Sequence, residues 1–347
     1  MWEAQSMDKR KILFILKSEY TPSARIRFLD LFPFLERAGI GFEVEYLPKS
    51  GSNRRSLFKK GSGFCGVVLQ KRLPSLWDFK VLRKHARKLA FDFDDAVHLR
   101  NASPSENELE YVSSTRARRF RRIVGASDMV LVANNVLADA ARAAAPAAEI
   151  AVIPSSVDVS PYPRPEDVAG TFSSPPVVGW VGTKVASTHL LHFVPALRKA
   201  RAEEDFVLRV VSNGDFDISG LNVENIEWTL EGESRDIRGF DVGIMPLSDD
   251  PYSRGKSSYK LLQYMAAGVP ALASAVGMNV EVAGEDGRAA FLAASQEEFT
   301  IKLLELLRDS ETRRRLAFNG RSEVEKKYSR EVVGLEFANV MARFIEG

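Results

Sequence analysis

A single cysteine, Cys65, stands in a chain of 347 residues. No disulfide can form within the chain, and a reducing compartment suits it. Histidine is scarce as well: the four present are scattered along the sequence, which leaves no ligand cluster of the zinc kind. An excess of either charge is also lacking. Forty-eight Lys and Arg stand against 46 Asp and Glu, a net charge of +2, too little to hold nucleic acid in bulk. No apolar run reaches the ~18 residues that read as a membrane span. The opening MWEAQSMDKRK has no apolar core of a secretory signal. Met7 is an alternative start, or residues 1–8 form a leader, and the expected location is cytoplasmic.

What the sequence does contain is alternation. Short β-rich runs recur in the first half: KILFIL (11–16), FEVEYL (42–47), CGVVLQ (65–70), KLAFDF (88–93), MVLVA (129–133) and EIAVIP (149–154). Helical spacing fills several gaps between them, over 24–38, 105–124 and 135–144. Six prolines, Gly170 and several serines then interrupt the pattern between 154 and 176, a linker composition. The alternation restarts with VVGWV (177–181), FVLRVV (206–211), VENIEW (223–228), DVGIMP (241–246), PALAS (270–274) and AAFL (289–292). Helices fit 188–201, 256–267, 296–308, 311–327 and 330–346. Strands alternating with helices predict parallel sheets. The expected organisation is an α/β chain of two Rossmann-like domains, 9–160 and 177–329, joined by a hinge over 161–176. A ligand is expected in the interdomain cleft, at the carboxyl ends of the strands.

Four stretches carry candidate chemistry. In VVGWVGTK (177–184) an apolar strand runs into Gly182, Thr183 and Lys184. The glycine lets backbone approach a ligand, the next helix start offers N–H groups to an anion, and the lysine adds charge. The plainer reading is a strand-to-helix turn that needs a glycine. In the second stretch, 241–279, Lys256, Lys260 and Gln263 are spaced i, i+4, i+7 on a helix expected from Lys256, and so share a face. Lysines at a helix start run against the macrodipole unless an anion is present. With Gly255 and Ser257 flanking Lys256, this surface suits a diphosphate and a ribose. A solvated lysine face is the alternative.

The third stretch is FDFDDAVH (91–98), which ends a buried strand and places Asp94 and Asp95 at its carboxyl end. They are candidates to orient an acceptor hydroxyl or accept its proton. Three other readings stand beside that one: carboxylates that cap a helix, an Asp-x-Asp metal motif at Asp92 and Asp94, and the nucleophile loop of a phosphatase of the haloacid dehalogenase type. The fourth is the loop from Tyr20 to Arg27, where Arg25 and Arg27 are candidate contacts for donor phosphate or an anionic acceptor; surface arginines on a first turn are the alternative. Separately, the basic run RARRFRR (116–122) is either a solvated helix face or a surface for peripheral docking to an anionic inner leaflet.

DVGIMPL, KLLQYMAAGVPALAS and VGMN, all within 241–279, together resemble the donor signature of the retaining GT-B glycosyltransferases known as group 1, in a bacterial branch with a GK…K…QYMA pattern. GWVGT, IPSSVD (153–158) and SARIR (23–27) extend the resemblance over most of the chain. It implies a GT-B fold whose last helix, 330–347, returns to the first domain. It implies transfer of a sugar, with retention, from a nucleoside-diphosphate sugar, UDP- or GDP-linked, to a glycan, lipid-linked or small-molecule acceptor in cell-surface glycan or glycolipid synthesis. No metal or other cofactor is implied. Lys256 would neutralise the leaving diphosphate, and Asp94 and Asp95 would serve the acceptor. The pattern is departed from at several positions. Of the two glutamates the family carries eight residues apart, the first falls on Gly255 and the second on Gln263. Thr183 stands where an arginine is usual, and His189 near the usual lysine. A GT-B sugar-nucleotide epimerase and a binding subunit without turnover share the same architecture.

Overall fold

A run such as KILFIL, with apolar residues at consecutive positions, is what a parallel strand covered on both faces requires. The computed structural model, which describes residues 10–19, 21–101, 107–164 and 172–346, shows that requirement met. Leu13 and Ile15 point into one core layer, while Ile12, Phe14 and Leu16 point into the other. The neighbouring strands divide in the same way: Val67 and Leu69 against Val68, and Leu89, Phe91 and Phe93 against Ala90.

The first sheet contains β1 (Lys11–Leu16), β2 (Gly41–Tyr46), β3 (Gly66–Gln70), β4 (Leu89–Phe93), β5 (Met129–Val132) and β6 (Ile150–Val152), in the order β2-β1-β3-β4-β5-β6. The second contains β7 (Val177–Val181), β8 (Val207–Ser212), β9 (Val223–Glu227), β10 (Val242–Met245), β11 (Ala271–Ser274) and β12 (Phe291–Ala293), in the order β12-β11-β10-β7-β8-β9. Every pairing is parallel. The strand order reverses between β1 and β3 in the first sheet and between β7 and β10 in the second, and ligands of such sheets gather at these switch points. All twelve strands lie within two residues of the runs read from the sequence.

The helices diverge more. The helix expected over 24–38 is broken into Pro22–Arg27 and Phe32–Arg37, because Phe28 leaves helical geometry and Pro33 starts a new turn. Helices Gly51–Lys60 and Leu76–His85 lie where no helix was assigned. The run expected over 105–124 is helical only from Ser114 to Val124, after a short 3-10 turn, and residues 105 and 106 lie outside the described residues. So do the leader 1–8, Tyr20 and hinge residues 165–171.

The helix Arg330–Glu346 packs on the first sheet. Phe337 meets Phe14 and Phe28. A Cβ on Gly66 would lie 2.5 Å from the Phe344 ring, so only glycine lets this helix seat. The chain therefore crosses between domains twice. The crossings touch where Val157 bridges Ser329, and Arg330 pairs there with Asp158 at 3.0 Å and Asp30 at 3.4 Å. Among the described residues, no helix is long and apolar enough to cross a membrane.

Arg27, an expected anion contact, lies beneath the surface at 3% exposure. Its Nε and Nη2 donate to Asp92 Oδ1 at 2.9 and 2.6 Å, and its Nη1 donates to the Ile153 carbonyl at 2.7 Å. This placement corrects the expectation: Arg27 ties the carboxyl ends of β4 and β6 together and has no free face for a ligand. It also occupies Asp92, which is fully buried, and so removes one half of the Asp-x-Asp pair. Asp92→Asn should cost about 3–5 kcal/mol in urea unfolding, the scale for leaving one partner of a buried ion pair uncompensated. Replacing both residues, as Arg27→Met with Asp92→Leu, should recover most of that loss. A cost for Asp92→Asn below about 1 kcal/mol would show that the pair does not hold the strand ends.

Candidate functional site

The carboxyl ends of β7 and β10 meet at the second domain's switch point. The loop after β10 is rigid for reasons visible in its sequence. Asp250 accepts from the backbone of Tyr252 and Ser253 at 2.9 and 2.8 Å and from the Ser253 hydroxyl at 2.7 Å. Ser258 adopts a left-handed conformation (φ 51°, ψ 23°), and its hydroxyl is 2.7 Å from the Asn279 side chain. The helix therefore runs Tyr259–Ala266 rather than from Lys256. Lys256 sits ahead of it in extended backbone (φ −70°, ψ 148°), with Ser257 half-buried beside it. The expected i, i+4, i+7 face thus reduces to Lys260 and Gln263, and Gln263 is only 2% exposed. Lys256 reaches the same place from the loop, over the Tyr252 ring at 5.5 Å. No side chain caps the helix at Ser258, so its first turn keeps donors for a ligand.

Lys260 is the centre of this group. Its ammonium lies 4.4 Å from the Trp180 ring centroid. A Cβ on Gly182 would stand 2.4 Å from that ring and 2.7 Å from Lys260 Nζ, so glycine is what admits the lysine. Burial, then the charge of Lys256, pushes the Lys260 ammonium down to about 7. His189 is buried beside it, and Ser248 N–H donates to its Nδ1 at 3.4 Å. Burial, then Lys256, Lys260 and His192, pushes this imidazole down to about 3, so it stays neutral. Among the described residues, neither Lys256 nor Lys260 makes an ion pair within 4 Å. The rest of the Gly182 turn lies apart. The Gly182 N–H is used by the Val211 carbonyl at 3.0 Å. Thr183 is exposed and caps the short turn Lys184–Ala186, while the Lys184 N–H donates to Asn213 at 2.9 Å and its side chain lies over Gly214. Lys184 is therefore on the β8 side of β7, away from Lys260.

The first domain contributes carboxylates across the cleft. Lys71, directly after β3, adopts a left-handed backbone (φ 54°) and places its ammonium 2.6 Å from Asp94 Oδ1 and 2.6 Å from Asp95 Oδ2. Burial opposes the charge of Lys71, yet Asp94 and Asp95 hold its ammonium well above the ordinary value. Burial also works against ionised Asp95, but Lys71 and the second domain's Lys256 hold its carboxyl below the usual range. Asp94 is 8% exposed, and the Asp95 side chain is 30% exposed toward the cleft. Arg25 pairs with Asp30 at 3.6 Å and reaches the Tyr259 hydroxyl of the second domain.

Gly255 proves to be a domain contact. Its Cα faces Ala96 and Leu137, where a Cβ would come within 3.0 Å of each. Asn134 donates to the Gly255 and Lys256 carbonyls at 3.3 and 3.1 Å. That placement does not fit the expected phosphate-cradling turn, because the Gly255 N–H is used by the Tyr252 carbonyl at 3.1 Å and its Cα is covered by the first domain. Lys71, Asn134 and Trp180 were not singled out from the sequence. The available signal for Lys71 was its position: a residue following β3 lies beside those following β4. A separate cavity of 790 Å³ beside β12, lined in part by Glu281, Phe291 and Lys302, includes none of these residues.

Residues 175–309 match the family model described as Glycosyl transferases group 1. The MMP alpha-(1->4)-mannosyltransferase of Mycolicibacterium hassiacum is 31% identical over 163 residues, a match covering 46% of this chain and 40% of that protein. The whole fold is similar to sucrose-phosphate synthase from Thermosynechococcus elongatus, at TM-score 0.74 and 14% identity over 96% of this chain and 99% of that one. It is similar to a glycosyltransferase from Rickettsia africae, at TM-score 0.73 and 13% identity over 98% and 100%. It is also similar to Anabaena HepE, solved in complex with UDP and glucose, at TM-score 0.67 and 16% identity over 96% and 100%. The two parallel six-stranded sheets are those of the GT-B fold.

A lysine held near neutrality costs the unliganded protein stability whenever it is charged. Lys260→Met should therefore raise the melting temperature while weakening nucleoside-diphosphate binding. In the wild-type protein a bound anion should restore the ammonium, so affinity should be full below about pH 7 and fall as pH rises through the free protein's value. Calorimetry between pH 6 and pH 9, repeated in buffers of different ionisation enthalpy, should register proton uptake that Lys260→Met abolishes. A flat affinity profile would remove Lys260 from the ligand.

Proposed function

We propose that this chain is a glycosyltransferase that binds a nucleoside-diphosphate sugar on its second domain and passes the sugar to an acceptor presented by the first. The observation that carries this reading is the pairing of opposite charge across one cleft. Lys256 and Lys260, without a carboxylate of their own, stand at the uncapped start of Tyr259–Ala266, facing the Asp94–Asp95–Lys71 group. Transfer generates a diphosphate leaving group. Two cations and helix N–H donors are suited to take that charge, and such fixed electrostatics are the main catalytic resource for this chemistry. Asp94 and Asp95 would orient the acceptor hydroxyl and receive its proton.

The group 1 match over 175–309 and the mannosyltransferase relative support the reaction class. HepE, with UDP and glucose bound, supports a UDP-linked donor, with a GDP-linked one as the alternative. We assign retention of configuration, operation without a divalent metal, and a cytoplasmic role in bacterial cell-surface glycan or glycolipid synthesis, the acceptor being a glycan, a lipid-linked saccharide or a small molecule. The lysines give the leaving group its counter-charge without a metal ion.

The first experiment is calorimetry of UDP and GDP binding in EDTA. Lys256→Ala should weaken the preferred diphosphate by about 1.5–3 kcal/mol, the range for a hydrogen bond to a charged group. Unchanged affinity in a folded variant would take Lys256 out of the donor site. The second compares turnover with donor affinity. Asp94→Asn and Asp95→Asn should each lower turnover by roughly 10²–10⁴, the scale of a positioned acid or base. Diphosphate affinity should not weaken, since each change only removes negative charge near Lys256. Near-normal turnover in both variants, at an unchanged melting temperature, would return the pair to a structural role.

A further inference from the structure

Residues 48–125 contain eighteen Lys and Arg against seven Asp and Glu, in a chain whose net charge is only +2. Four of the seven acids are held by cations of the first domain, while Glu108 and Glu110 are exposed. Asp78 is 2% exposed and held by Arg54 at 3.1 Å and Arg55 at 3.3 Å. Asp92 is bound by Arg27, and Asp94 and Asp95 by Lys71. The cations are left outside. Arg118 and Arg121 are exposed on Ser114–Val124, and Arg122 lies over the Phe79 ring at 5.9 Å, which sets that helix against Leu76–His85. Arg72 is crowded by like charge: burial, then Arg54, with Arg119 adding to it, pushes its guanidinium down.

In the middle of this basic surface are two apolar side chains without cover. Trp77 is 70% exposed and Leu76 is 47% exposed, with the Lys80 ammonium 5.1 Å from the indole ring. Leaving a tryptophan in water forfeits a large apolar burial, and a solvated basic face has no use for one. A partner offering negative charge alone would be met by the arginines alone. Exposed Trp and Leu ringed by Arg and Lys form the composition of a surface that inserts at the headgroup level of an anionic bilayer.

We propose that the start of Leu76–His85, together with the basic face of Ser114–Val124, docks this protein on an anionic lipid surface, with Trp77 and Leu76 inserted and Arg72, Lys80, Arg118, Arg119, Arg121 and Arg122 meeting the headgroups. The position gives docking a purpose. Leu76 follows β3 by a short loop that begins with Lys71, so the bilayer lies beside the mouth of the cleft that holds Asp94 and Asp95. The choice of a lipid-borne acceptor rests on the proposed glycosyl transfer; the docking does not.

The test is co-sedimentation of the full chain with phosphatidylcholine vesicles carrying none, a fifth or half phosphatidylglycerol. Binding should be absent without the anionic lipid, rise with its fraction, and fall with salt. Trp77→Ala should weaken it about tenfold, and Arg119→Glu with Arg122→Glu by about 25-fold or more, each lost charge being worth about fivefold, or ~1 kcal/mol. Tryptophan emission should shift to the blue on binding, and Trp77→Phe should remove that shift. Diphosphate affinity should be unchanged in all three variants, a readout that also shows the folded state intact. Failure to bind vesicles with half phosphatidylglycerol at low salt would overturn the proposal. So would equal binding by Trp77→Ala and wild type, or retention on a heparin column without vesicle binding, which would mark a polyanion site.

Discussion

Arg27 is shared between Asp92 and the Ile153 carbonyl beneath the cleft, and the first domain's half of the site is built on that sharing. β4 and β6 are not neighbours; β5 lies between them. A buried guanidinium that bonds to both strand ends fixes where each chain leaves the sheet. Asp94 and Asp95 emerge just beyond the fixed point and Asn134 just beyond β5, so the groups that meet the second domain share one rigid base. The arrangement is expensive in desolvation and admits little variation, because each buried polar atom of Arg27 must keep its partner.

The second domain shows the opposite economy of charge. Lys256, Lys260 and His189 are brought together, and Asp95, across the cleft, lies within the field of Lys256. Burial holds Lys260 near neutrality and keeps His189 uncharged. On the proposed reading, a dianion entering this space would meet the Lys260 ammonium as it regains its proton, the Lys256 side chain, and helix N–H groups that lack a side-chain cap. The affinity so gained would be drawn from a folded state less stable than it would be with an apolar side chain at position 260, as in sites tuned for an anion.

Much of this could be read from the sequence, and what could not has identifiable causes. The strands were legible because a sheet covered on both faces demands unbroken apolar runs, and few other structures do. The start of Tyr259–Ala266 was not, because Ser258 takes a left-handed turn that Asn279, twenty-one residues on, supports through its side chain. Spacing therefore put Lys256 on a helix that it precedes. Lys71 was hidden by its conformation: a non-glycine residue at φ 54° turns its side chain back along the strand ends, and nothing in QKR announces that. Arg27 had the residue type of a ligand contact, and only burial separates that role from a structural one.

Gly255 shows how the two halves depend on each other. By resemblance a carboxylate belongs at this position, yet its Cα abuts Ala96, the residue after Asp95, and any longer side chain would force the first domain away. The same closeness brings Lys256 within the field of Asp95 and lets Asn134 hold the Lys256 carbonyl. A glycine here leaves no acid at this position and, by admitting the first domain, sets the acid of Asp95 within the field of Lys256 instead. Charge in this cleft is therefore a property of the two domains together, so a substitution at Ala96 or Asn134, far in sequence from the lysines, acts on the same electrostatic balance as one at Lys256 itself.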